Sequence, residues 1–441
     1  RIRHAHARRI RSCSLGGRLA QHGTKGPSGH GTEYVTGTRT SVQRGDLLSG
    51  DASRGACIFK HTHGARGGAP TTTVATPSPR LRLNAICPYY TMFPLDFPLS
   101  RLARAPDSAW VLDPFCGRGT TLFAARLLGL RCVGIDSNPI AAAVAAAKLT
   151  KASAEDVMEA TARILRRAKC GTEIPRGEFW RLCYHPSTLR DICTIREQLL
   201  RSCSTPADIV LRALMLGILH GPMQKGTQTY LSNQMPRTYA TKPAAAVRFW
   251  KRRSMIVPPA VNVLAAISRR AQHALADTPP PVCGAVYFGD ARQASSVLPG
   301  GRRISWVVTS PPYFGLRTYR PDQWLRNWFL GGMPDVDYRE DGQLSHHVGG
   351  FSDELGKVWR SVGSRCLPGA RLVVRFGCLP SLPVDPREVL RDSLDRADVG
   401  WHAYRWADAG FSSNGKRQAQ QFGSSSSAPA REVDMYARLE L

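Results

Sequence analysis

Acidic residues are scarce in this chain: 33 Asp and Glu stand against 60 Lys and Arg in 441 residues, a formal charge of +27. That imbalance disfavours a cationic partner and points to a polyanion, nucleic acid first. Cysteine pairs of the C-x-x-C type are missing. The twelve cysteines are scattered, which indicates neither a zinc site nor a disulfide framework and suits a reducing compartment. Long apolar runs are missing too: IAAAVAAA, residues 140 to 147, falls far short of a bilayer span, and no lipid-anchor motif occurs. The expectation is a protein with no membrane association, in the prokaryotic cytoplasm close to the nucleoid.

Residues 1–80 lack periodic apolar patterning and hold only Glu33, Asp46 and Asp51 as acids. Such a stretch buries too little apolar surface to offset its ordering entropy, so it is expected to be a disordered basic extension. From residue 81 the texture changes. AWVLDPF (109 to 115) predicts a buried strand, TTLFAARLLGL (120 to 130) an amphipathic helix, and RCVGID (131 to 136) a second strand, which together make a βαβ unit with a parallel sheet. A helix follows with Pro139 in its first turn. Residues 151–282 interrupt the alternation with helical patterns and a basic tract, and are expected to form a helical insertion. Strands resume in 283–441 at AVYFGD, ISWVVTS, ARLVVRFG, WHAYRWADAG and VDMYARLEL, the last two as an antiparallel closing pair.

DPFCGRGTT places Gly117 and Gly119 in the turn between the first strand and its helix, where the backbone bends sharply and a ligand can approach closely. Asp136 ends the second strand, the position at which a carboxylate takes both hydroxyls of a ribose in a nucleotide-binding fold. Thr120, Thr121 and Leu122 follow Gly119, which breaks the dehydrogenase G-x-G-x-x-G and disfavours a nicotinamide cofactor. Gly-Lys-Ser/Thr is not found there either, which excludes a Walker-type loop.

DPFCGRGTT, then GIDSNP, then TSPPY resembles the S-adenosylmethionine-dependent DNA amino-methyltransferases, which methylate N4 of cytosine or N6 of adenine. CPYYTMFP (87 to 94) is similar to their cofactor-flanking motif, and FGDAR (288 to 292) to their third acidic loop. The resemblance covers residues 85–441. It implies an α/β fold of the Rossmann-like class I methyltransferase type, with a seven-stranded mostly parallel sheet and an inserted helical subdomain. The cofactor half would be 81–150, the target-recognition insertion 151–282 and the catalytic half 283–441. S-adenosyl-L-methionine is the implied cofactor, with no metal. Phe115, Gly117 and Gly119 would line its methionine part, Asp136 its ribose, Asp290 its adenine amino group, and Phe93 the side of the pocket, with Asp113 and Thr120 also in the cofactor site. Arg118 departs from the small residue usual between those glycines and is expected to point outward, or to meet the methionine carboxylate or a DNA phosphate.

Ser310, Pro311, Pro312 and Tyr313 carry the implied catalysis. An exocyclic amine is a poor nucleophile because its lone pair is delocalised into the ring, so hydrogen-bond acceptors that draw it toward tetrahedral geometry are required. The Ser310 hydroxyl and the Pro311 carbonyl are the acceptors, Pro312 adds rigidity, and Tyr313 stacks on a flipped base. Pro-Cys, the dipeptide of cysteine-dependent C5 methylation, does not occur, and Cys87 and Cys116 are read as structural. Ser at position 310 tilts the target toward N4 of cytosine, with N6 of adenine as the alternative and an RNA amine as a third. Double-stranded DNA is the expected partner, and a cognate restriction endonuclease a further one. Arg237, Lys242, Arg248, Lys251, Arg252 and Arg253, beside Tyr239, Phe249 and Trp250, combine phosphate-binding charge with rings. Trp324 and Trp328, four apart after the S-P-P-Y loop, suit either a gap left by the flipped base or a helix core.

Overall fold

Short apolar runs rich in β-branched residues, covered on both faces, make the central sheet. The computed structural model describes residues 32–35, 78–89, 93–167, 173–298, 300, 303–315, 320–336, 338, 344–345, 347–379, 382, 384–411 and 431–440. The strands are β1 (Thr32–Val35), β2 (Trp110–Asp113), β3 (Arg131–Asp136), β4 (Gly284–Phe288), β5 (Ile304–Thr309), β6 (Cys366–Gly377), β7 (Trp401–Phe411) and β8 (Arg431–Leu439). They run in the order β1-β4-β3-β2-β5-β6-β8-β7. β4, β3, β2, β5 and β6 are parallel, while β8 runs antiparallel between β6 and β7. β2 to β8 are the seven strands expected, with the closing pair where VDMYARLEL and WHAYRWADAG put it. β1 is additional. It pairs antiparallel with β4 and comes from within the stretch read as a basic extension, of which 1–31 and 36–77 lie outside the described residues.

The helices are α1 (Asp96–Leu102), α2 (Thr120–Leu127), α3 (Pro139–Leu149), α4 (Ala154–Arg166), α5 (Glu178–Cys183), α6 (Pro186–Arg201), α7 (Pro206–Ile218), α8 (Pro243–Arg252), α9 (Val263–Ala274), α10 (Ala294–Val297), α11 (Trp324–Phe329), α12 (Val348–Gly363) and α13 (Pro386–Ala397). Local chemistry sets their starts. Asn138 caps α3 by accepting from the Ile140 N–H at 3.0 Å, ahead of Pro139. Ser153 and Asp156 form a capping box at α4.

Strand periodicity divides the core in two. Val111, Val308 and Val373 face one hydrophobic cluster, and their neighbours Leu112, Val307 and Leu372 face the other. α12 and α13 cover the second face. On the first face lie α2 and α3 and, beyond them, the helical insertion. α4 to α9 have no core of their own: Val157, Ile192, Leu211 and Ile218 join Ala142 to Ala147 in one continuous cluster. The reason is legible in α3, which is buried all round from Ile140 to Leu149 and must be covered on both sides. Lys148 is carried into the same cover, where its Nζ donates to Asn84 Oδ1 at 2.7 Å.

The tryptophans belong to this packing. Trp324 and Trp328 lie in a cluster with Phe179 and Trp180, at ring separations of 4.9 Å (Phe179–Trp324) and 4.6 Å (Trp180–Trp328). The four-residue spacing is therefore core packing, and neither ring fills a gap left by a displaced base. Trp250 is fully buried, with its Nε1–H on the Gln234 carbonyl at 2.9 Å. It is unavailable for stacking, although the six basic side chains of its tract are exposed.

Candidate active site

The C-terminal ends of β2, β3, β4 and β5 lie side by side at one edge of the sheet, and every expected site residue except Phe93 ends or follows one of them. Gly117 and Gly119 adopt positive φ, +49° and +79°. A Cβ on Gly119 would sit 2.9 Å from the Cβ of Ala145 in α3, whereas one on Gly117 would meet nothing within 4 Å. The first glycine thus leaves open space in front of the turn, and the second lets α2 pack close against α3. Gly119→Ala is expected to lower Tm by several degrees, because about 1–2 kcal/mol of left-handed strain adds to the clash. Thermal melting followed by circular dichroism checks it, with Gly117→Ala as the variant that carries strain alone.

Asp136 holds this turn. Its Oδ2 accepts from the Gly117 N–H at 2.8 Å and its Oδ1 from the Asn138 N–H at 2.8 Å. Burial raises the Asp136 carboxyl to about 6, against those two bonds, which pull it down. Each oxygen keeps a lone pair free for a further donor. Asn138 passes the contact on, donating from Nδ2 to the Tyr89 hydroxyl at 2.9 Å. Tyr89 lies in CPYYTMFP, where its residue type alone carries no signal of this role. Burial raises its hydroxyl well above the ordinary tyrosine value, so it stays protonated.

Asp113 links the glycine turn to the S-P-P-Y segment. Its Oδ1 accepts from the Phe115 N–H at 3.1 Å and from Thr309 Oγ1 at 2.5 Å, which ties the end of β2 to the end of β5. Asp113 is fully buried, and loss of water raises its carboxyl to about 6. A raised folded-state value means that stability is present at low pH and lost as pH rises through about 6. Asp113→Asn keeps an acceptor without the charge. Its Tm relative to the parent is therefore expected to rise between pH 4 and 7, and a flat difference would contradict the raised value.

Ser310 is half-buried, Pro311 buried, Pro312 exposed and Tyr313 half-buried. The Tyr313 ring stands edge-on to Phe376, 6.2 Å between centroids at 77°, and its hydroxyl donates to Glu432. After it, Phe314 pairs with Cys378, so the segment continues along the end of β6. Phe115 packs edge-on against Trp359 at 6.4 Å, and Phe93 against Phe97 at 5.4 Å. Thr120 is buried at the first position of α2.

Two residues stand differently from their expected roles. Arg118 does not point outward: it is 6% exposed, and its Nη1 reaches the Cys87 carbonyl at 3.4 Å. Burial lowers its guanidinium to about 10. Asp290 caps the turn Ala291–Gln293 and accepts from the Arg292 N–H (2.9 Å), Nε (3.0 and 2.9 Å) and Nη2 (2.6 Å), so an adenine amino group would compete with that guanidinium. Arg292 in turn bonds Glu354 at 3.0 Å. Cys116 is buried and its thiol is pushed well up, which suits the structural reading rather than a nucleophile. Among the described residues no cluster of His, Cys, Asp and Glu could hold a metal ion. No helix among them is long and apolar enough to cross a membrane.

Residues 101–147, from α1 through the glycine turn and Asp136 into α3, match the family model of the N6/N4 DNA methylases, described as DNA methylase. It is an S-adenosylmethionine-dependent methyltransferase. No curated protein matches the chain. Among solved structures, the methyltransferase is similar to the rRNA methyltransferase AviRa from Streptomyces viridochromogenes, at 16% identity and a TM-score of 0.30, over 80% of this chain and 87% of that one. It is similar also to a SAM-dependent methyltransferase from Methanosarcina mazei, at 10% identity and a TM-score of 0.29, over 79% and 99%. A third is the 16S rRNA (adenine(1408)-N(1))-methyltransferase from Catenulisporales acidiphilia, at 11% identity and a TM-score of 0.29, over 80% and 93%. TM-scores this low assign no substrate to the methyltransferase. Its own residues fit the cofactor: the open space before Gly117 admits a ligand, and the Asp136 carboxylate beside it can accept from ribose hydroxyls.

Proposed function

We propose that this methyltransferase acts on the exocyclic amine of a base in double-stranded DNA, N4 of cytosine in preference to N6 of adenine. The observation that carries the reading is the bond from Thr309 to Asp113, which fastens the S-P-P-Y segment to the strand entering the glycine turn. Ser310 and Tyr313 are thereby held beside the cofactor side of the sheet.

The chemistry follows from what these residues offer. Ser310 Oγ and the Pro311 carbonyl each accept one amine N–H, which draws the nitrogen toward tetrahedral geometry and frees its lone pair. Pro311 and Pro312 fix φ near −65°, so the carbonyl is held in place before the base arrives. S-adenosylmethionine, when bound, supplies an electrophilic methyl group on a sulfonium. Tyr313 offers its ring to a base taken out of the stack: stacking on it returns about 1–3 kcal/mol against an unstacking cost of a few kcal/mol. The buried, protonated Cys116 has no part in the reaction.

The exposed Arg237, Lys242, Arg248, Lys251, Arg252 and Arg253 supply phosphate contacts for the duplex. Ser rather than an acid or amide at position 310 favours cytosine. The test is incubation of the full chain with duplex DNA and methyl-labelled cofactor, followed by nucleoside mass spectrometry. N4-methylcytosine is the expected product. N6-methyladenine would overturn the choice of base, and label found only in RNA would overturn the choice of DNA.

A further inference from the structure

We infer that Glu432 is a positioning residue for Tyr313, its carboxylate holding the phenol so that the tip of the ring keeps one place at the site. The inference rests on the reading of Tyr313 as the platform for the target base. Glu432 is the second residue of β8 and is 8% exposed, and the Tyr313 hydroxyl donates to its Oε1. The two residues are 119 positions apart in the chain.

The ladder makes room for this pair. Glu432 lies opposite Gly377 on β6 and opposite Gly410 on β7. A Cβ on Gly377 would stand 3.1 Å from the Tyr313 ring, so the ring rests directly on that backbone. Phe376 meets it edge-on. The hydroxyl oxygen lies on the χ2 axis, so a bond there pins the tip of the ring and the direction of its long axis, while the contacts with Gly377 and Phe376 set its plane.

Apolar packing gives no reason for an acid here. Val433 and Met435 alongside it are core residues, and a buried carboxylate is costly unless it is hydrogen-bonded. The nearby cation is engaged elsewhere: Arg375 forks onto Asp434, at 2.8 and 3.0 Å, and Arg101 joins the same carboxylate at 3.0 Å. Arg375 also lies over the Phe97 ring at 4.1 Å. That ion cluster anchors α1 to β6 and β8; the Arg375 charge also attracts the Glu432 carboxylate, whose side-chain hydrogen bond is with the phenol.

A double-mutant cycle on the full chain tests the role, with duplex DNA as substrate. Tyr313→Phe and Glu432→Leu are each expected to lower kcat about tenfold, and the double variant no further than either alone. The dissociation constant for S-adenosylmethionine is expected to stay within about twofold, since neither residue belongs to the glycine turn. Glu432→Gln should restore most of kcat, because its carboxamide oxygen accepts the same bond, which a purely structural role for the charge would not allow. Multiplying effects in the double variant, or a Gln variant as impaired as Leu, would overturn the inference. If Glu432→Leu does not fold, the Phe and Gln variants decide it: the first must lower kcat and the second must not. Tyr313→Ala separates this from the underlying reading. Unchanged turnover in that variant would remove the platform itself, whereas impaired turnover with a multiplying cycle removes only the part given to Glu432.

Discussion

Asp136→Ala is expected to raise the dissociation constant for S-adenosylmethionine at least about 100-fold, because two charge-assisted hydrogen bonds of about 1.5–3 kcal/mol each are lost. The carboxylate fastens the Gly117 and Asn138 N–H groups, and it keeps lone pairs for two ribose hydroxyls. Its loss therefore loosens the turn and removes the acceptors together. Isothermal titration with S-adenosylmethionine reads the effect directly. Asp136→Asn, which keeps one acceptor oxygen, should fall between the parent and Ala. Because the carboxyl titrates near 6, affinity in the parent should also weaken as pH falls through that value, and this dependence should vanish in Asp136→Asn. An Ala variant that binds as tightly as the parent would contradict the assignment.

Ser310→Ala is expected to lower kcat about 100-fold while leaving cofactor affinity unchanged, the range seen when one hydrogen-bonding group that acts on the transition state is deleted. Ser310 follows Thr309, whose side chain is bonded to Asp113, so its backbone position does not depend on its own hydroxyl. The variant thus removes an acceptor and little else. Single-turnover transfer of labelled methyl to duplex DNA, with S-adenosylmethionine binding measured alongside, distinguishes a lost chemical step from a lost cofactor. Turnover within a few-fold of the parent would leave the Pro311 carbonyl as the only acceptor in the account.

Much of the parallel sheet was legible because each strand is an apolar run closed by a polar or turn residue: Asp113, Asp136, Gly289 and Ser310 all mark strand ends. The glycine turn was legible for the same local reason, and its positive φ values are where G-x-G placed them. What depends on distant partners was not. Glu432 sits in a strand whose sequence reads as ordinary core, and only the ladder brings it to Tyr313. Trp250 looked like a stacking ring among cations, yet α8 turns it inward while Arg248 and Lys251 stay out. Arg118 between two glycines suggested an outward side chain, yet the fold buries it against the Cys87 carbonyl. β1 gave no signal because four residues in a polar stretch carry no periodicity. The shared core of the insertion has its signal in α3, which has no polar face and so requires helices on its far side.

In the proposed function, the two strand ends joined by Thr309 and Asp113 bring an amine acceptor to a cofactor site for chemistry on DNA. Transfer of labelled methyl from S-adenosylmethionine to duplex DNA and to RNA, run side by side with the parent and with Ser310→Ala, tests it most directly. The expected result is label in DNA with the parent and about a hundredth of that rate with the variant. Label confined to RNA, or equal rates in DNA for both proteins, would contradict it.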